Sequence, residues 1–229
     1  MITAQIVKEL AGQLGADLFG IAPIDRFDQA PQGFHPTDLF PQTKSVLAVA
    51  KRFPEGPFHA RSPIPYSVAN DVILAAVTRL TCELCALLER LGRVVAVPVP
   101  SEPCEYWDAP NRTGRGLLSL KHAGWLAGLG VIGKNMLLTH REFGNRICLG
   151  AVLLDVDLPG DAMADYQLCA ERCRRCIDAC PVHAIGPLGV DQKLCRGNSQ
   201  GRTAKDEPIY VCNQCRAVCP NGTGTKQVK

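Results

Sequence analysis

Apolar positions along the chain follow two periods, and the switches between them mark out the elements. Ile6, Leu10 and Leu14 recur at helical spacing and predict an opening helix. The short apolar run ADLFGIAP, residues 16–23, predicts a buried strand. After a loop rich in Pro, Gly and Phe, SVLAVAKRF (45–53) combines β-branched and apolar residues and predicts a second strand. Residues 66–92 carry a long helical pattern that Gly92 closes at a C-cap position. RVVAVPVP (93–100) predicts a third strand, stopped by its prolines. Strand, helix and strand in this order predict an α/β layer fold.

Further on, GLLSLKHAGWLAGLG (116–130) is apolar enough for a mostly buried helix, which Gly128, Gly130 and Gly133 then break. NMLLTH (135–140) and RICLGAVLLDVDLP (146–159) predict two strands flanking the turn REFGN. Beyond Pro159 the apolar periodicity fades, and cysteines and arginines take over. This places a boundary near 160–167. Residues 1–165 are then an α/β domain, and 166–229 a small cysteine-rich one. No run approaches the length of a membrane span. The N-terminus MITAQIVKELAGQLG has neither the apolar core nor the cleavage site of an export signal, so a cytoplasmic location is expected.

Cysteine changes this ordinary picture. Eight of the twelve lie at residues 169–219, and clustered cysteines in a reducing compartment point to metal or redox chemistry. Two segments repeat one spacing: Cys173-x2-Cys176-x3-Cys180-Pro181 and Cys212-x2-Cys215-x3-Cys219-Pro220, each with a further cysteine upstream, Cys169 and Cys195. Paired [4Fe–4S] proteins of the ferredoxin kind use this arithmetic: three cysteines serve one cluster, and the one before proline reaches to the other. On that rule one cluster takes Cys169, Cys173, Cys176 and Cys219, and the other takes Cys180, Cys195, Cys212 and Cys215. Disulfides and zinc remain as alternatives, though zinc pairs do not usually end in proline. One interval departs from the common motif, since three residues rather than two separate Cys169 from Cys173.

The remaining four cysteines carry less. Cys82 and Cys85 share a helix and are expected to pack, Cys148 to sit in the core, and Cys104 to lie in a polar loop. Gly128-x-Gly130-x-x-Gly133 satisfies a dinucleotide fingerprint but follows a helix instead of a strand, the reverse of the required context. A formal charge of +3 is too small to argue for nucleic acid. Residues 169–229 hold ten Lys and Arg against five Asp and Glu, an excess that offsets anionic thiolate clusters or docks an electron donor.

The stretch AGLGVIGKNMLLTHREFGNRICLGAVLLDVDLP (127–159), followed by the first cysteine motif, the isolated Cys195 and VCNQCRAVCPN (211–221), resembles the epoxyqueuosine reductases and their relatives, the corrinoid-dependent reductive dehalogenases. The resemblance implies an α/β domain holding a base-off cobalamin, followed by a ferredoxin-like domain whose two [4Fe–4S] clusters feed electrons to cobalt. Reduced cobalt in that family removes oxygen from an epoxide or halogen from carbon. It further implies that the backbone of Gly128, Gly130, Gly133, Lys134 and Asn135, with Gly150 and Ala151, lies against the corrin. A ferredoxin, flavodoxin or reductase is the expected electron donor, and a small molecule or modified nucleoside the expected substrate. Epoxyqueuosine reductases carry an acidic proton donor and a proline just upstream of this stretch. Here Arg115 and Leu118 stand there, and the chain ends nine residues after Pro220, so tRNA is not the favoured substrate. Lys121, His122 and Tyr106 are the candidate replacements for the proton donor. A non-catalytic electron carrier or corrinoid-handling protein is the alternative.

Overall fold

The computed structural model describes residues 2–116 and 118–224. Thr3 starts the first helix, α1 (Ala4–Gln13), its hydroxyl accepting from the Ile6 amide at 3.3 Å. Strands β1 (Leu18–Pro23) and β2 (Ser45–Arg52) follow, with the short helix α2 (Pro36–Leu39) between them. The long helix α3 (Ile64–Leu91) leads to β3 (Ala96–Val99). A hairpin of β4 (Tyr106–Asp108) and β5 (Thr113–Arg115) precedes α4 (Leu120–Leu126). A second hairpin, β6 (Val131–Ile132) with β7 (Leu138–Thr139), leads into β8 (Ile147–Leu154). The cysteine-rich remainder holds α5 (Arg175–Asp178), the hairpin of β9 (Ile185–Gly186) and β10 (Gly189–Val190), α6 (Gln192–Ser199), the hairpin of β11 (Gln200–Arg202) and β12 (Pro208–Tyr210), and α7 (Gln214–Ala217).

One four-stranded sheet organises the first part, in the order β1-β2-β8-β3 with every neighbouring pair antiparallel. The strand–helix–strand order read from the sequence is present as β2, α3 and β3, but the two strands do not pair. β8 sits between them because it is apolar nearly throughout and therefore suited to the sheet centre, where both faces are covered. Alternation then sorts its partners. Leu47, Val49, Val152 and Leu154 pack with Val7 and Ala11 of α1 and with Leu80, Leu84 and Leu88 of α3. Val46, Ala48, Ala151 and Leu153 face the other way, onto Ala123 of α4 and onto Leu129 and Leu138. Each large apolar side chain buried this way contributes about 1.5–3 kcal/mol, which makes the helix–sheet–helix sandwich the main source of stability.

Gly150 lets α3 lie close on β8. A Cβ there would meet Val77 Cγ1 at 2.5 Å and Thr81 Cγ2 at 3.0 Å. Gly150→Ala is expected to cost about 1–3 kcal/mol from overpacking. Denaturant midpoints check this, and Val77→Ala in the same chain should recover much of the loss.

Several local expectations are corrected. The helix expected over 116–130 is confined to Leu120–Leu126, with Leu117 outside the described residues. Gly128 ends it as the left-handed residue of a Schellman motif, φ +79°: the Leu129 amide donates to the Gly124 carbonyl and the Gly128 amide to that of Trp125. Two glycines of the apparent fingerprint thus have local duties, since a Cβ on Gly128 would run into the Ala162 carbonyl and one on Gly130 into that of Thr139. Of Cys82 and Cys85 only the second is buried, because three residues turn a helix by about 300° and leave Cys82 off the buried face. Burial pushes the Cys85 thiol up to about 12. Residues 155–174, which include the expected boundary, form no helix or strand. Among the described residues no helix is long and apolar enough to cross a membrane.

Candidate cluster and cofactor site

The cysteine-rich part has little core of its own, Cys176, Ala184 and Ile185 being its buried apolar residues among those described. A segment this poor in burial needs another staple, and a metal centre is one. Its two short motif helices, α5 and α7, pack against each other. Around them the thiols fall into two neighbourhoods.

Cys169, Cys173, Cys176 and Cys219 line one small cavity of about 20 Å³ under Val131 and Gly133. Burial raises the Cys176 thiol, and Cys169 and Cys173 raise it further. The same holds for Cys219, raised by burial and by Cys169, Cys176 and Cys173. Elsewhere Cys195 is raised by burial and then by Cys180 and Cys212. Cys215 is pushed up to about 11, chiefly by burial, with Cys195, Cys212 and Cys176 adding to it. Four thiolates gathered in a half-buried site repel one another, and iron is the kind of positive charge that offsets this and deprotonates them. The donor sets fit sulfur-ligated clusters in number and chemistry. Among the described residues no three His, Cys, Asp or Glu are drawn together as a cage for one ion.

The turn after β6 ties both neighbourhoods to the sheet domain. Lys134 Nζ donates to the carbonyls of Ala170, Glu171 and Cys173 at 3.1, 2.5 and 3.0 Å. Asn135, almost wholly buried, donates from Nδ2 to the Cys215 carbonyl at 3.2 Å, while its Oδ1 accepts from the Leu137 amide. The side chains of this pair thus bind the cysteine loops, while their backbone belongs to the turn expected to lie against a corrin. Gly150 and Ala151 lie in β8, the first beneath α3 and the second in the core toward α4.

A cavity of about 820 Å³ opens between the sheet domain and the second set of thiols. Cys195, Cys212 and Cys215 stand in its wall with apolar groups such as Leu39, Leu118 and Leu149. Its size is near the upper end for ligand sites. Met136, Leu137 and Leu138 border it, directly after the glycine-rich turn.

The candidate proton donors part company here. Lys121 lines the cavity, and burial lowers its pKa, so its ammonium gives up a proton more readily than an ordinary lysine's. His122, beside it, pairs its Nδ1 with Ser119 Oγ at 2.7 Å and is lowered by burial and by Lys121. Tyr106 is half exposed on β4 and leans on Phe34. Arg115 is exposed on β5. The cavity wall also holds Glu102, whose Oε1 accepts from the Tyr210 hydroxyl at 3.4 Å, and Asn145. Sequence reasoning missed these three. Glu102 and Tyr210 are 108 residues apart, and only the fold joins them.

No protein-family model matches the chain. Among curated proteins, the epoxyqueuosine reductase of Pseudomonas aeruginosa is 35% identical over 105 residues, 41% of this chain and 29% of that protein. The one from Bacillus cereus is 26% identical over 242 residues, 92% of this chain and 62% of that protein. The chain is similar to the epoxyqueuosine reductases. Its match thus spans less than two thirds of these relatives' own length. Solved structures agree on the fold. The epoxyqueuosine reductase of Streptococcus thermophilus superposes with a TM-score of 0.67 at 20% identity, covering 98% of this chain and 67% of that one. A reductive dehalogenase, described in terms of B12-dependent dehalogenation, gives 0.69 at 18% identity, covering 98% and 32%.

Proposed function

We propose that this chain is an iron–sulfur oxidoreductase of the epoxyqueuosine-reductase kind, in which two [4Fe–4S] clusters pass electrons toward a cobalamin in the large cavity. One observation carries the reading: Cys195, Cys212 and Cys215 border that cavity, while Cys169, Cys173, Cys176 and Cys219 line a separate one. The sheet domain supplies the rest of the wall. When bound, the clusters supply one-electron transfer and the cobalamin a strongly reducing metal centre.

The chain's own residues would do the remaining work. Lys134 and Asn135 hold the two cysteine loops in place. Leu39, Leu118 and Leu149 give the cavity wall apolar surface for the ring to lie on. Lys121 offers a proton at Nζ, and Glu102 with Tyr210 forms a second polar group on the same wall. A small molecule or modified nucleoside is the substrate class, and a ferredoxin, flavodoxin or reductase is the electron donor.

A second reading, a non-catalytic electron carrier or corrinoid-handling protein, draws on Arg115, which stands exposed where epoxyqueuosine reductases carry an acid. Anaerobic purification with and without hydroxocobalamin, followed by iron analysis and spectra during stepwise reduction, separates the two. The expected result is iron near eight per chain, the content of two cubanes (about eight), with cobalamin retained in a 1:1 ratio. Iron without cobalamin supports the electron carrier, and cobalamin retained without turnover of any substrate supports the corrinoid-handling protein. Zinc in place of iron overturns both.

A further inference from the structure

Two side chains just before β8 stand out among the described residues: Asn145 and Arg146 are almost fully buried, yet Nδ2 and Oδ1 of the first and Nε and Nη1 of the second have no hydrogen-bond partner there. Such atoms are rare in folded proteins and point to something they are built to meet. Arg146 is the more telling, because a buried cation is held only where its charge is answered.

Its known neighbours answer that charge in part. The guanidinium lies over the Phe58 ring, 4.3 Å from the centroid, and Nη1 is 3.7 Å from Oε1 of Glu55, an exposed carboxylate at the rim. Neither contact is a hydrogen bond to the buried N–H groups. The open side of the group faces the turn that carries Cys219. A Cβ on Gly222 would lie 3.6 Å from Arg146 Nε, and the Gly222 amide donates to the Cys219 carbonyl at 2.9 Å. Burial lowers the Arg146 pKa, while Glu55 and the Cys219 thiolate act to hold it charged. The chemistry that satisfies fixed guanidinium donors is an anionic acceptor, and Cys219 belongs to the first set of thiols.

We propose that Arg146 tunes the reduction potential of the cluster held by Cys169, Cys173, Cys176 and Cys219. The inference rests on the two-cluster reading above. A reduced cluster carries one more negative charge than an oxidised one, so a fixed neighbouring cation favours reduction and raises the potential. Glu55, by partly neutralising that cation, acts in the opposite sense. Arg146 is therefore a positioning charge beside the cluster and not a ligand.

An EPR-monitored redox titration of the anaerobically reconstituted full chain tests this, comparing the parent with Arg146→Gln and Glu55→Gln. Arg146→Gln is expected to lower one of the two midpoints, shifting its reduced-to-oxidised ratio about tenfold, which is about 59 mV for one electron. The other midpoint stays in place. Glu55→Gln, altering an exposed side chain, is expected to move the same midpoint upward by less. Should Arg146→Gln fail to bind iron, Glu55→Gln decides alone. Unchanged midpoints in Glu55→Gln, or shifts of the same sign in both variants, overturn the proposal. A parent without iron overturns the cluster reading itself, and iron analysis shows this before any titration begins.

Discussion

Cys219→Ser is expected to remove the cluster of Cys169, Cys173 and Cys176 and to leave that of its own sequence neighbours intact. Cys219 closes the motif begun by Cys212 and Cys215, but its side chain lines the small cavity of the first set. Iron should fall from about eight to about four per chain, one cubane of two. The EPR signal lost in Cys219→Ser should be the one lost in Cys173→Ser and the one kept in Cys212→Ser. If Cys219→Ser and Cys212→Ser lose the same signal, Cys219 serves its own motif and the crossed arrangement is wrong. Cys180→Ser gives the mirror test, since the Cys180 thiol acts on Cys195.

Lys134→Met is expected to loosen the first cluster and spare the second. Three carbonyls of the Ala170–Cys173 loop share the Lys134 ammonium. A hydrogen bond from a charged donor is worth about 1.5–3 kcal/mol, and three bonds sharing one partly exposed ammonium should together give about 3 kcal/mol. That corresponds to roughly a 100-fold change in the opening equilibrium of the loop. Iron loss to a chelator should accelerate by about that factor for one cluster. Asn135 still holds the Cys215 carbonyl in this variant, so the other cluster should lose iron at the parent rate. Equal acceleration of both would show that Lys134 acts on the whole fold and not as a latch on one loop.

The two experiments bear on features of differing legibility. The two repeated cysteine motifs were visible in the spacing alone, because the thiols of such a motif recur at short fixed intervals. The duties of Lys134 and Asn135 were not, because their partners lie 36 to 80 residues away. The glycine-rich turn shows the difference within one segment. Its glycines announced special backbone, and Gly128 does adopt a left-handed conformation. Nothing in the spacing said that this conformation caps α4 and lets the chain pass the Ala162 carbonyl. Likewise a polar pair ahead of an apolar strand looks like an ordinary turn. Asn145 and Arg146 are anomalous only because the structure buries them, with the Cys219 turn lying against Arg146.

By itself, the sequence determined the helical run that became α3, the strands β1, β2, β3 and β8, and the repeated cysteine motif. Each depends on periodicity or spacing within a few residues, which the chain carries wherever it folds. Tertiary structure decided the insertion of β8 between β2 and β3 and the large cavity against Cys195, Cys212 and Cys215. It also chose Lys121 over His122 and Tyr106 as the candidate that faces the cavity. These are outcomes of long-range packing, in which buried apolar faces choose their partners across the whole chain and polar groups go where that choice leaves them.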